Sequence, residues 1–204
     1  MTKHVKLQTR PKADLLDAAK RVLLDCGYAG LSTRAVAAQA GTQMSQIRYH
    51  FGSKEGMVLA LFQYMNEALI YRQSASFSDP KLSLAEKWQL SCDYLDDDLA
   101  SGYVRVLQEL MAAGYSNAAI GEVVRAALGQ WRDLLVALAD EFAKRHTGAG
   151  PLEAEDVAAL VAAVFLGAEA CILLGHESDL MPIRRALRKL GDVLDRFQAT
   201  ENTE

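Results

Sequence analysis

The residues best suited to chemistry lie close together. Thr42, Gln43, Met44, Ser45, Gln46, Arg48, Tyr49 and His50 bring amide, guanidinium, hydroxyl and thioether groups into one short stretch. A glutamine can bond adenine through both amide atoms and an arginine can bond guanine in the same way. Each such pair discriminates by about 1–3 kcal/mol, and a methionine suits the methyl group of thymine. Thr33, Arg34 and Lys54, just outside the stretch, are of the types that hold phosphates, and the Tyr49 hydroxyl can do the same. Packing against the first helix is the alternative role for Tyr49 and His50. Covalent chemistry has no comparable constellation. There is no GxSxG, no phosphate-cradling glycine loop and no HExxH. His4, His50, His146 and His176 are scattered, and Cys26, Cys92 and Cys171 lack metal-ligand spacing. The run from His176 to Asp179 has metal-capable side chains but reads as a solvated connection. Asp96, Asp97 and Asp98 are adjacent and so face different sides of a helix. No catalytic residue, metal or cofactor is expected.

Residues that read bases have to be presented by a rigid element. Ser32 and Thr33 are good helix caps, and Val36, Ala37 and Ala40 form an apolar edge behind them. Gly41 suits a left-handed turn. Gln43 or Ser45 can open a second helix whose buried positions are Ile47 and Phe51. Two short helices around a glycine turn make a helix-turn-helix, whose second helix enters a DNA major groove.

From LLDAAKRVLLDCGYAGLSTRAVAAQAG through QIRYHFGSKEGMVLAL, Leu15 to Leu61, the chain resembles the N-terminal domain of the tetracycline-repressor (TetR) family of bacterial transcriptional regulators. Tyr49, His50, Phe51, Ser53, Lys54 and Glu55 stand where that family's aromatic-His-Phe and Ser-Lys-Glu elements stand, and the Cys26-Gly27-Tyr28 helix exit fits too. The resemblance covers about a quarter of the chain. Met44, Ser45 and Arg48 depart from residues common in the family, so the resemblance implies DNA binding but no particular operator. It also implies pairing of protomers through the last helices.

Charge agrees with that division. The 204 residues carry a formal net charge of −4. Residues 1–54 hold Lys3, Lys6, Arg10, Lys12, Lys20, Arg21, Arg34, Arg48 and Lys54 against Asp14, Asp17 and Asp25, a net of +6 that leaves −10 for the remainder. A basic head on an acidic body is the asymmetry expected when one end faces phosphates. No run reaches the roughly 18 uninterrupted apolar residues of a membrane span. Val157 to Leu174 comes nearest, contains Glu169, and reads as a buried helix. The N-terminus is basic without an apolar segment behind it, so it does not read as a secretory signal. Three widely spaced cysteines suggest a reducing cytoplasm.

The class expected is all-α with about nine helices, near 12–26, 33–40, 44–50, 54–71, 83–100, 103–113, 117–146, 153–174 and 182–198, and a loop from Ser74 to Pro80. Residues 1–53 form the expected helix-turn-helix domain, and residues 54–204 the ligand-binding and dimerisation domain. Base readers on so small a head call for a symmetric dimer on a (pseudo)palindromic duplex. Val161, Val164, Ala168, Ile172, Leu187, Leu190 and Leu194 are the candidate interface. Trp88, Cys92, Leu95, Leu107, Met111, Tyr115, Val124, Leu128, Trp131, Leu135, Phe165 and Glu169 are the candidate lining of an apolar effector pocket. The reading is a cytoplasmic homodimeric repressor released from DNA by a small, largely apolar effector. The alternative is a DNA-binding regulator or architectural protein of the same fold with no effector.

Overall fold

The computed structural model describes residues 11–145 and 151–201, with side chains through Lys144 and Val193 of those segments. Among the described residues there are nine helices: α1 (Lys12–Gly30), α2 (Thr33–Gln39), α3 (Met44–Phe51), α4 (Lys54–Phe77), α5 (Leu84–Ser101), α6 (Tyr103–Gly114), α7 (Ala118–Arg145), α8 (Ala154–Leu173) and α9 (Ile183–Glu201). A single Ser178–Met181 bridge is the only β pairing among them. The all-α class is confirmed.

Local chemistry sets most of the ends. Ser83 and Glu86 form a reciprocal cap on α5: the Ser83 amide donates to Glu86 Oε2 at 2.7 Å and the Glu86 amide to Ser83 Oγ at 3.2 Å. Asn117 Oδ1 accepts from the Ala119 and Ile120 amides at the start of α7. Glu153 and Asp156 make the matching box on α8. Gly27, with φ 69°, breaks α1 one residue after Cys26 before a last turn runs to Gly30. The connecting helix corrects one expectation, since α4 runs on to Phe77, through residues expected as loop. The Ser74, Ser76 and Ser78 hydroxyls donate to the carbonyls of Tyr71, Arg72 and Ser74, which satisfies these side chains within the helix.

The helices fall into two compact units. One runs to Glu67 and takes in Ser101–Val124; the other comprises Ala68–Ala100 and Arg125 onward. The first unit thus holds α1 to α3 together with the first part of α4 and α6. Leu15, Ala18, Ala19 and Val22 of α1 are buried with Val36 and Ala37 of α2, Ile47 of α3, and Met57, Val58, Leu61 and Phe62 of α4. Burying a side chain of Val, Leu or Phe size contributes about 1.5–3 kcal/mol. Tyr64 Oη donates to Asp17 Oδ1 at 3.1 Å, joining α4 to α1. Tyr103 of α6 stacks on Phe62 at 5.6 Å and donates to Asn66 Oδ1 at 2.8 Å. At the corner from α6 into α7 the backbones nearly touch. A Cβ on Gly114 would lie 3.0 Å from the Gly121 Cα.

The second unit is built around Cys92, Leu95, Phe165, Ala168 and Leu187, with Trp88, Trp131, Val161 and Ile172 packed against them. Phe165 meets the edges of Trp88 and Trp131 at 5.6 and 6.2 Å. Two side chains of α5 cap carbonyls of α9: Trp88 Nε1 donates to Leu187 O at 2.7 Å and Gln89 Nε2 to Arg188 O at 2.9 Å. An ionic row follows, with Arg188 on Asp93 and Asp96, and Arg184 on Asp96 and Glu177.

α8 departs from the expectation of a buried helix. It is long and apolar enough to cross a membrane by length and composition, with a mean hydropathy of 2.1, yet only 22% of that window is buried. Ala158, Phe165 and Ala168 face the core, while Leu160, Ala163, Val164 and Gly167 lie exposed. A helix that is apolar all round and packs on one side leaves its other side uncovered.

Candidate nucleic-acid interface

α3 is aimed by what it buries. Ile47 is 0% exposed and fixes the helix to the head, while Phe51 is half-buried with Lys12 Nζ 5.9 Å from its ring centroid. The turn before α3 uses Gly41 at φ 63°, and the Thr42 amide donates to Ala37 O at 2.9 Å. On α2, Ser32 Oγ accepts from the Ala35 amide at 3.2 Å, so Thr33 begins the helix and Arg34 stands exposed in its first turn.

With α3 held in this way, Gln43, Met44, Ser45, Arg48 and Tyr49 are exposed, Tyr49 at 82%. Ser45 Oγ donates to Gln43 Oε1 at 3.3 Å, orienting the amide that opens the helix. Thr42 corrects one expectation. It is only 8% exposed, because the turn that reverses the chain at Gly41 rotates its side chain inward, so it belongs to the head's interior rather than to the base-reading row. Gln46 and His50, one turn apart, are half-buried. Gln46 Oε1 and His50 Nε2 find no hydrogen-bond partner among the described residues. Buried polar atoms are normally paired, so α3 carries two polar groups of unused capacity.

Lys54 starts α4, after Gly52 at φ 72° and a cap in which Ser53 Oγ accepts from the Gly56 amide at 3.0 Å. Its Nζ lies 5.5 Å from the centroid of the Tyr28 ring, in the last turn of α1 beyond the Gly27 break. Burial, reinforced by Glu109 and Glu55, pushes the Tyr28 phenol above its ordinary value, so the ring under the cation stays neutral. Lys54 thus presents a positive charge at a helix N-terminus, where anions are favoured. The sequence reading missed Tyr28 in this role and assigned none to Lys12. Tyr28 stands 26 positions from its lysine, and only the fold joins the two.

The other candidate sites spread further. Trp88, Cys92, Leu95, Trp131 and Phe165 do come together, but as the packed cluster of the second unit. Leu128 and Glu169 are half-buried and Leu135 is buried in that unit. Leu107, Met111, Tyr115 and Val124 belong to the first unit. Tyr115 cannot line an interior surface: it caps the C-terminus of α6 and is 85% exposed. Of the residues expected between protomers, Ala168 and Leu187 are covered within one protomer's own core, and Val161 and Ile172 are packed against it. Among the described residues, the large hydrophobics left exposed on α8 and α9 are Leu160, Val164, Leu190 and Val193. The Leu194 side chain and the histidines at 4 and 146 lie outside the described residues.

Residues 15–61 match the bacterial regulatory proteins of the tetR family. No curated protein matches by sequence. Among solved structures, the transcriptional regulator FadR from Bacillus subtilis in complex with stearoyl-CoA superposes with a TM-score of 0.69. It is 19% identical over 89% of this chain and 97% of its own. A TetR transcription regulator from Haloarcula marismortui gives 0.73 at 16% identity, covering 89% and 94%. The multidrug binding protein EbrR complexed with proflavin gives 0.60 at 25% identity, covering 89% and 98%.

Proposed function

We propose that the chain, whose residues 15–61 match the bacterial regulatory proteins of the tetR family, is a transcriptional regulator of that kind: a homodimeric repressor which a small, largely apolar effector releases from a (pseudo)palindromic operator. The observation that carries the DNA half is the exposed row on α3, held outward by a fully buried Ile47. Gln43, Met44, Ser45 and Arg48 meet base edges, with Gln46 and His50 behind them, and Tyr49 bonds a phosphate. Thr33, Arg34 and Lys54 neutralise the backbone on either side. Such proteins work in the cytoplasm, where the DNA is.

One eight-residue helix spans only a few base pairs, and two heads reading half-sites about one helical turn apart multiply the selectivity. The uncovered apolar side of α8, continued by Leu190 and Val193 of α9, supports a second copy as its cover. Structures of similar fold are complexes with molecules as different as stearoyl-CoA and proflavin, which supports a ligand-responsive body without fixing the ligand. An effector that binds one body geometry better than the other shifts the heads away from the spacing the operator demands.

Selection of bound duplexes from a random pool, with the mass of the complex measured by light scattering, tests both halves. The expected result is an inverted repeat carrying an even number of protomers. Enrichment of no sequence, or a monomer on a single half-site, would sink the reading.

A further inference from the structure

Lys87 is a buried cation to which neither DNA binding nor packing gives a role. Its side chain is 2% exposed, and Nζ donates at 2.9 Å to Oε2 of Glu141 on α7, whose side chain is 33% exposed. An ammonium carries three N–H donors, and Glu141 is its one acceptor among the described residues. Taking an ammonium out of water is costly, and a single contact offsets that cost only in part.

The surroundings are polar in an ordered way. Lys87, Ser91, Tyr94 and Asp98 recur at helical spacing along one side of α5. Trp88, Cys92, Leu95 and Leu99, each one residue on, run along the adjacent face and into the apolar cluster. Tyr94 meets the Ser76 hydroxyl, and Asp98 accepts from Arg72 at 2.8 Å, so α4 faces this polar side. Gln73, on the same stretch of α4 and 6% exposed, has an Oε1 with no partner among the described residues. The spare Gln73 oxygen thus lies toward the Asp98 end of α5, about 16 Å of helix rise from Lys87, and the unused capacity at Lys87 is that of its own ammonium.

The pair is also lopsided, with the cation inside and the carboxylate at the rim. An arriving anion can take the place of Glu141 at Nζ while Glu141 turns to water, and the number of buried charges stays the same. We propose that Lys87 is the anchor of the effector site, and that the effector class is a singly charged carboxylate on an apolar body, exchanging with Glu141. This rests on the ligand-responsive reading given above.

The test is calorimetric titration of the full chain with decanoate, decan-1-ol and decyltrimethylammonium, each kept below micelle formation. Decanoate binds at least about tenfold more tightly than the other two, a margin of one desolvated charge contact. Lys87→Met lowers decanoate to the level of the alcohol, and Lys87→Arg keeps the preference. Glu141→Gln removes the competing carboxylate, so it tightens decanoate about tenfold and leaves decan-1-ol unchanged. A purely structural ion pair predicts no ligand effect from Glu141→Gln. Equal affinity for the three head groups, an unaltered Lys87→Met that remains helical, or weaker decanoate binding by Glu141→Gln each overturns the proposal. DNA binding is read separately by mobility shift without decanoate. Intact DNA binding with no preference for the anion overturns the Lys87 site alone. An anion site on a chain that binds no DNA overturns the regulator reading and leaves Lys87 in place.

Discussion

Lys54→Ala is the most informative single change in the head. The lysine is exposed, and its one aromatic contact is the Tyr28 ring at 5.5 Å. A cation over a ring at an exposed site is worth about 0.5–1 kcal/mol, so the melting temperature moves by a few degrees at most. On DNA the loss has another form. Each phosphate neutralised adds about 0.9 to the slope of log affinity against log salt, so in the proposed dimer one such lysine from each of two protomers would add about 1.8. Over a fourfold rise in salt the native complex therefore weakens about 12-fold more than the variant complex. Fluorescence anisotropy with one labelled duplex across a salt series measures both slopes. Lys54→Arg restores the native slope, and a random duplex shows the same slope difference because a phosphate carries no sequence. Equal slopes for the native chain and Lys54→Ala would remove Lys54 from the phosphate contacts. A slope difference on one sequence alone would make it a base contact instead.

Three further outcomes follow from the packing and the electrostatics. Gly56→Ala places a Cβ 2.1 Å from the Phe51 carbonyl oxygen, a backbone atom that cannot rotate away. It should cost about 1–3 kcal/mol in denaturant unfolding and weaken DNA binding by loosening α3 from α4; an unchanged midpoint would contradict the close approach. Hydrogen bonds from the Ser83 backbone and side chain hold the Glu86 carboxyl below its usual 4.5. The folded value is the lower one, so this contribution is complete at neutral pH and is lost as pH falls through the carboxylate range. Glu86→Gln should accordingly flatten the acid limb of a stability-against-pH curve, and an identical acid limb would count against it. Burial pushes the Cys92 thiol up to about 11, so at pH about 8 only roughly one in a thousand is thiolate. Exposed Cys26 should react with a chromogenic disulfide well before Cys92 does; equal rates in the native protein would refute the buried position.

The head was legible because each of its signals is local. Ser32, Gly41 and Ser53 act on residues within four positions, and the match spans Leu15 to Leu61 as the motifs do. What stayed hidden depends on which way a side chain turns or on a partner far along the chain. Thr42 is polar and sits in a turn, yet the turn buries it. Tyr115 carries the composition of a pocket residue but falls at the end of α6, where it faces water. The serines after Tyr71 read as a loop until their hydroxyls are seen bonded to the helix behind them. On α8, composition announced an apolar helix but could not say which side the protomer covers, so Ala168 and Val164 looked equivalent and are not. Lys87 and Glu141, 54 positions apart, could not be paired by spacing at all.

The contact between Gly114 and Gly121 bears on how this fold can deform. With 3.0 Å between an added Cβ and the facing Cα, the corner has no play: α6 cannot slide along the first turn of α7 without driving backbone into backbone. Mechanically the two behave as a bent rod, stiff at the elbow. α6 bonds α4 through Tyr103 and Asn66 at one end of that rod and lies against the first turn of α7 at the other. The slack needed for any rearrangement then has to come from the other end of α6, at Gly102 with φ 81°. A bulky residue at Gly114 would have to push the two backbones apart at a cost in stability, and so would change the angle of the elbow.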